Sequence, residues 1–575
     1  MHKLRYFFFW ALSLIALSAL VAFYSNLGDD TDVWWHLRYG EYFRSRHTWR
    51  ADHSIYSWTP ADGSWAYVTW VGSIILYGIY HLGGFSLLNI LQWFIFLSVA
   101  LLAVVAVHRG GVSVRIPHVA AMFLTGAAVN PVMAYIKPEL FTLLFFAVTV
   151  FIYIDSKQSG RCGFWVYPFL FLLWVNTHGG FIHGLAFLAV MWLFEGIALR
   201  LDYQSALPMR QWKILTAVLG LSGIAVCVNP YGAAYHVRIV EYILRGGSHV
   251  QSITAYAPLW NHLFPKQPVF RLFDAAWIMV FMGLLALFLL FRLYWKKRFF
   301  DLALSVSLTL FFVLGITMSR ACIYFCVLWL FAMIYLSQLY NSSFNRICIA
   351  AGGIILIFAS VIGYQVRVLN TFDSWFGSGI DHIVPVKECE IIKKYKLPPP
   401  IFNDYLTGGY LIWALYPEYK VFIDPRYGPY ATTGVWRDYL DLTRNGSQAS
   451  FAKFQRKYPF NTAIINVGQN HALTDLFFDA PDWSLVYFDR VAAVFVRKAW
   501  LGTRVLEGEM KAEKFGAVNN PQILFAAFYL YCNFDIAGAR TIYSIYQTNV
   551  RPWYAERGYH LDRMRRILGS MPSGK

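Results

Sequence analysis

The sequence predicts a polytopic α-helical membrane protein with a C-terminal extracytoplasmic α/β domain and a helical tail. Three observations predict it. The 575-residue chain is 58% hydrophobic and only 14% charged, with a mean hydropathy of +0.45. Its apolar residues come in successive runs of about 17–25, the length that crosses a bilayer. Beyond Tyr364 hydropathy falls and short β-branched runs alternate with amphipathic ones, the pattern of a small layered sheet.

The first apolar run, 6–25, follows Lys3 and Arg5 and lacks a small-residue cleavage site, so it is a helix with a cytoplasmic N-terminus. A polar, aromatic loop follows over 26–85. In it 33–46 has the pattern of an amphipathic helix, and 66–81 that of an apolar helix lying in the interface. The remaining spans are expected at 86–108, 116–133, 139–155, 163–176, 182–200, 213–229, 271–292, 300–317, 321–340 and 347–365, about eleven in all. With 66–81 flat, the turns carrying Arg109/Arg115, Lys157/Arg161, Arg200/Arg210/Lys213, Arg292/Lys296/Lys297/Arg298 and Arg346 all fall on the cytoplasmic side. The C-terminal domain is then extracytoplasmic, periplasmic in a bacterial inner membrane.

Three divisions follow: a transmembrane domain at 1–369 with its large first outer loop, an α/β domain at 370–499, and a helical extension at 500–575. Strands are expected at 401–404, 420–424, 462–466 and 491–496. Helices are expected at 433–442, 448–457, 522–532, 536–547 and 555–568. Seven cysteines show no metal-ligand spacing, and Cys389 and Cys532 could meet in an oxidising compartment. The net charge of +17 is explained by the cytoplasmic turns, so nucleic acid is not a partner and membrane lipids are.

The chemistry concentrates on the other side. Gly28-Asp29-Asp30-Thr31-Asp32-Val33-Trp34-Trp35-His36 sits where the first span leaves the bilayer. Acids at that depth cost free energy unless they are partnered or used. Asp30 and Asp32 are the candidate general base for an acceptor hydroxyl; the competing role is capping of the helix that starts beside them. Four further polar motifs face the same side: Lys137-Pro138-Glu139, Asn176-Thr177-His178-Gly179-Gly180, Asn229-Pro230-Tyr231-Gly232 and Ser319-Arg320. Arg320, Lys137 and His178 are the candidate ligands of a donor phosphate, with snorkelling or an ion pair to Glu139 as the alternative for Lys137. His36, Trp34, Trp35, Glu139, Asn176 and Tyr231 are candidates for the acceptor or sugar pocket, since indole stacks on a sugar face. No cofactor is required; a divalent metal on Asp30, Asp32 and His36 stays open.

Asp30-x-Asp32-x-Trp34-Trp35-His36-Leu37-x-x-Gly40, followed by Asp52, Ser57, Thr59, Gly63 and Trp65, resembles a bacterial subgroup of the GT-C class of membrane glycosyltransferases. That class includes the protein O-mannosyltransferases and the lipid A aminoarabinose transferase. Lys137-Pro138-Glu139, Trp174-x-Asn176-x-His178-Gly179, Asn229-Pro230-Tyr231-Gly232 and Asp404…Gly408-Gly409-Tyr410…Asp424-x-Arg426 fit the same subgroup. The resemblance covers about residues 1–500, and Lys137 stands where the subgroup more often has arginine. It implies inverting transfer of a sugar from a polyprenyl-phosphate donor to a lipid, glycan or protein acceptor at the outer face. The base role falls on Asp30, then Asp32.

Two other functions compete. A transporter or flippase of a lipid-linked glycan would want ionisable groups near the midplane and paired broken helices, and no inverted repeat is visible. An O-antigen polymerase or ligase-type enzyme would place its chemistry on a later outer loop, for which only 233–271 is available.

Overall fold

The structure is a computed structural model. It describes residues 31–112, 114–133, 136–245, 258–259, 275–339, 384–466, 471–489, 491–501, 511–519, 521–550, 552 and 557–570. The expected spans at 6–25 and 347–365, and Asp30 itself, lie outside the described residues. The chain forms two compact units, one of residues 1–27 and 66–365, the other of residues 28–65 and 366–575. The first-loop segment 28–65 therefore folds with the C-terminal unit.

Helix α1 (Asp32–Arg46) opens the described chain and belongs to that second unit. The first unit is a helical bundle: α2 (Trp70–Arg109), α3 (Ile116–Met133), α4 (Glu139–Ser159), α5 (Tyr167–Thr177), α6 (Phe181–Arg200), α7 (Met209–Ala225), α8 (Ala234–Arg245), α9 (Ala275–Lys297), α10 (Leu302–Thr317) and α11 (Cys322–Gln338). Every expected span that meets described residues coincides with one of these helices. The α2 run is broken at Gly83 and Gly84; Gly84 has φ +60 with ψ −153, a conformation open to glycine. That break separates the expected segment 66–81 from the span that follows.

Five described helices are long and apolar enough to cross a bilayer: α2, α4, α6, most of α9, and Ser319–Gln338, which includes α11. The protein is an integral membrane protein. Two of the five form the centre: 83% of the most apolar stretch of α4 and 89% of that of α11 is buried, against 33% for the other three. The outer helices turn side chains such as Phe169, Leu284 and Phe291 outward, as lipid-facing residues must be.

The bundle has two chemically distinct ends. At one, Arg109 pairs with Asp155 at 2.8 Å, and the Gln211 amide donates to the Gly160 carbonyl at 2.8 Å. The buried Lys157 ammonium bridges Glu195 and Asp301, each at 2.6 Å. Glu195 also accepts from the Leu207 amide, and Asp301 caps α10 through the Leu304 amide. The three charges are each 3% exposed or less, and their hydrogen bonds tie α4, α6 and α10 together. Among the described residues, the turns that carry Arg109, Lys157 and Arg210 thus share one end; Arg346 lies outside the described residues. The four polar motifs of the bundle, at 137–139, 176–180, 229–232 and 319–320, lie at the other.

The second unit carries a four-stranded sheet in the order β1-β2-β4-β3: β1 (Ile401–Asn403), β2 (Thr462–Asn466), β3 (Trp483–Phe488) and β4 (Ala492–Arg497). β1 and β2 are parallel; β2–β4 and β3–β4 are antiparallel. Around it lie α12 (Val386–Tyr395), α13 (Gly408–Leu415), α14 (Val435–Asn445), α15 (Gln448–Lys457) and α16 (His471–Phe478). Phe402, Phe422, Phe460, Phe477 and Phe495 fill the core.

Two strand expectations need correction. The run 420–424 is buried but stands outside the sheet: the Asn403 side chain accepts from the Phe422 amide at 2.8 Å and donates to the Ile423 carbonyl at 2.7 Å. A side chain thus takes the place of a ladder, and Val421 makes only an isolated bridge to Ser57. β3 was not expected, because its alternation is broken by a register shift between Leu485 and Tyr487. Cys389 and Cys532 are free thiols, not a disulfide. The extension forms α17 (Pro521–Phe534), α18 (Ile536–Asn549) and α19 (Arg557–Ser570), with Tyr546 and Phe525 both packed on His560.

Candidate functional site

In the second unit, Asp32 occupies the first turn of α1, where the helix dipole favours a carboxylate. The cap position is Thr31, and its side chain makes no capping hydrogen bond. Asp32 is half-buried, and its Oδ1 accepts from the Trp35 indole at 3.1 Å. Trp35 stacks on His36 with ring centroids 3.6 Å apart, and Trp34 meets Tyr410 edge-on at 4.7 Å. Trp34, Trp35 and His36 are all buried. In this structure they pack within α1 and, through Trp34, against Tyr410. No group of three His, Cys, Asp or Glu able to hold a metal occurs among the described residues, which do not include Asp30.

What holds α1 is α13, which opens with the Gly408-Gly409 pair. A methyl at Gly409 would come within 2.1 Å of the Thr31 carbonyl oxygen, so glycine lets the two backbones touch. Arg38, two turns along, hydrogen-bonds the Tyr416 carbonyl and lies over the Tyr416 ring. Asp404 is buried beneath; its Oδ1 accepts from the Leu406 and Thr407 amides, and its Oδ2 from the Asn466 amide. Burial pushes its pKa up while those amides pull it down, and the net direction is upward.

A second buried network ties the first loop to the same unit. Arg426 grips Asp424 through Nε and one terminal nitrogen, each at 2.6 Å. Its other terminal nitrogen donates to the Tyr39 hydroxyl at 2.7 Å and the His53 carbonyl at 2.8 Å. The Tyr39 hydroxyl also meets His53 Nδ1 at 2.6 Å. Burial, with the Arg426 charge beside it, pushes His53 down to about 3, so the ring is neutral. Asp424 and Arg426 are thus a structural pair.

In the bundle, the polar-motif end gathers four of the expected motifs. Arg320 donates to both Glu139 oxygens, Nε at 2.7 Å and a terminal nitrogen at 2.6 Å. Lys137 Nζ stands 3.7 Å from the same carboxylate. One turn into α4, Thr142 Oγ1 lies 2.9 Å from His178 Nδ1 and accepts from the Trp174 indole at 2.9 Å. The Gly180 amide donates to His178 Nδ1 at 3.1 Å, so Nδ1 is an acceptor and the ring proton sits on Nε2. His183 stacks on Tyr324 at 4.0 Å. A methyl at Gly180 would strike Thr142 at 2.6 Å, and one at Gly72 would strike Pro138 at 2.8 Å.

The structure does not bring all candidates into that cluster in the same way. Asn176 spends its amide on framework: Oδ1 accepts from the Trp70 indole at 2.8 Å, and Nδ2 donates to the Leu172 and Val228 carbonyls. Tyr231 lies in a turn closed by Asn229, whose Oδ1 accepts from the Tyr231 amide at 2.9 Å. Sequence reasoning paired Glu139 with Lys137 and missed Arg320 as its bidentate partner. The signal was available: two opposite charges at the ends of apolar spans on one side are each costly alone.

No protein-family model matches the chain, and no curated protein matches it in sequence. Solved structures do match. The fold is similar to that of an archaeal oligosaccharyltransferase. The Archaeoglobus fulgidus oligosaccharyltransferase AglB, in complex with an inhibitory peptide and a dolichol-phosphate, aligns with TM-score 0.54 and 11% identity, over 99% of this chain and 87% of that one. The oligosaccharyltransferase from the same organism, tethered with an acceptor peptide containing the NVT sequon, aligns with TM-score 0.51 and 12% identity, over 87% and 75%. At these identities the likeness is one of fold: a polytopic helical membrane domain followed by a C-terminal domain.

Proposed function

We propose that the protein is a GT-C membrane glycosyltransferase that moves a sugar from a polyprenyl-phosphate-linked donor to an acceptor at the outer face of the bacterial cytoplasmic membrane. The observation that carries the proposal is the gathering of Lys137, Glu139, His178 and Arg320 at one end of an apolar bundle whose fold is similar to an oligosaccharyltransferase. A guanidinium, an ammonium and an imidazole N–H are the donors that a lipid phosphate needs as it leaves. Fold alone would not assign chemistry; the reading rests on the cations and the first-loop acids.

The reaction is a single displacement. A first-loop carboxylate, Asp30 or Asp32, takes the proton of an acceptor hydroxyl as its oxygen attacks the anomeric carbon. The bond from that carbon to the phosphate oxygen breaks, and the lipid phosphate leaves with the electron pair. Arg320, Lys137 and His178 stabilise its charge, and attack opposite the leaving group inverts the configuration. Glu139 holds Arg320 in place for this. The orientation is N-terminus inside with about eleven spans, as the basic turns favour.

The test is a mass-spectrometric comparison of glycolipids and envelope glycoproteins from cells carrying the intact protein, Asp30→Asn or Asp32→Asn. Loss of one sugar from one species in either variant is expected, and it names the acceptor. Unchanged glycans in both variants, with each protein folded in the membrane, would sink the assignment and leave transport of a lipid-linked glycan as the better reading.

A further inference from the structure

The basic end of the bundle holds a second feature. A groove of about 520 Å³ is lined by Trp165, Met209, Arg210, Lys213, Ile214 and Ala217. It sits where α7 begins, beside the chain leading into α5. The Gln211 side chain, bonded to the Gly160 carbonyl, fixes it at the Ser159 end of α4. Glu139 and Arg320 are at the other end of that 21-residue helix, about 30 Å away at 1.5 Å per residue. The groove is therefore not part of the site described above.

Its lining has two halves. Arg210 and Lys213 are exposed and three positions apart on a helix, hence on one face. Neither is paired with a carboxylate among the described residues. They flank the start of α7, whose first-turn amides lack partners within the helix and carry the positive end of its dipole. The other half is apolar: Trp165 is 53% and Met209 52% exposed, and Ile214 and Ala217 continue the surface along α7 towards the bilayer core. An indole at the end of a membrane helix, beside paired cations, is the composition of an interfacial lipid site.

We propose that this groove binds an anionic phospholipid of the leaflet at the basic end. The phosphate sits on Arg210, Lys213 and the first turn of α7, and the acyl chain lies along Trp165, Ile214 and Ala217. A soluble phosphate compound would leave the apolar half bare, and a zwitterionic lipid would set its own cation against the two side chains. The proposal does not depend on sugar transfer.

Native mass spectrometry of the full chain tests it, with the detergent-purified protein titrated with phosphatidylglycerol or phosphatidylcholine. The wild type should retain one phosphatidylglycerol that Arg210→Gln/Lys213→Gln binds on the order of tenfold more weakly. Ala217→Trp, which fills the groove without changing charge, should lose it too. Arg200→Gln, an exposed cation outside the groove, should bind as the wild type does. Inorganic phosphate at millimolar concentration should not displace the lipid. Four results would each overturn the site: undiminished binding in the double variant or in Ala217→Trp, equal loss in Arg200→Gln, equal retention of phosphatidylcholine, or displacement by phosphate. Melting in lipid-free detergent is expected to be unchanged for all these surface variants, which separates binding loss from misfolding.

Discussion

Arg320 holds both carboxylate oxygens of Glu139, although 181 positions separate them in the chain. Glu139 is 3% exposed and Arg320 26%, so the pair is largely removed from water. Removing one member of such a pair strands the other charge, at about 3–5 kcal/mol. Arg320→Met should lower the detergent melting temperature sharply, and Glu139→Met/Arg320→Met should recover most of the loss. Sugar transfer should stay absent in the double variant. Recovery of transfer together with stability would show that the pair only braces the bundle.

The acid of α1 depends on a glycine far away in sequence. Gly409→Ala places a methyl 2.1 Å from the Thr31 oxygen, so the start of α1, and Asp32 with it, must shift. The expected result is a fall in kcat of at least tenfold, as a misplaced catalytic group produces, with donor KM little changed. Gly558→Ala, where added bulk meets open space in α19, should leave both untouched. A loss seen equally in kcat and in folded yield would mean that Gly409 serves packing alone.

How far the sequence carried this structure differs between its halves. The bundle was legible because a run of 17 or more apolar residues can be little other than a helix, and the start of α3 at Ile116 was met to the residue. The sheet was less so. β3 hides its alternation behind a bulge, and 420–424 has strand composition but is fastened by the Asn403 side chain. The folding of 28–65 with the C-terminal unit was not legible at all, because it rests on distant contacts such as Thr31–Gly409 and Tyr39–Arg426. Glu139 differs: its neighbour Lys137 hid a pairing with Arg320 that two costly opposite charges at span ends on one side had signalled.

Glu388 gives a pH dependence with a definite sign. It is fully buried on α12, and its Oε1 accepts from the Ala492 amide at 3.1 Å. Burial and the nearby Asp489 carboxylate hold its proton on well above the usual carboxylate range. Below about pH 4.3 both folded and unfolded chains are protonated and its full contribution is present. As pH rises from there, the unfolded chain ionises while the folded one cannot, so stability falls until the folded pKa is passed. Glu388's contribution to the melting temperature should therefore decline from pH 5 towards pH 8, against the opposite contribution of the buried, neutral His53. Glu388→Gln should remove that contribution to the slope and raise the melting temperature at pH 8. A steeper decline in the variant would contradict the assignment.

Arg426 is the tie between the first loop and the domain it folds with. Its side chain and that of Asp424 are wholly buried, and it also supports Tyr39 on α1 and the His53 carbonyl. Lysine keeps the charge but offers a single point in place of a fork, so it cannot serve Asp424, Tyr39 and His53 together. Arg426→Lys should cost on the order of 3 kcal/mol. The loss should be local in hydrogen exchange: amides of 39–57 should exchange faster, while those of β2 and β4, on the far side of Asn403, should change little. Uniform acceleration across the sheet would instead make Arg426 a residue of the domain core, with no special hold on the loop that carries Asp32.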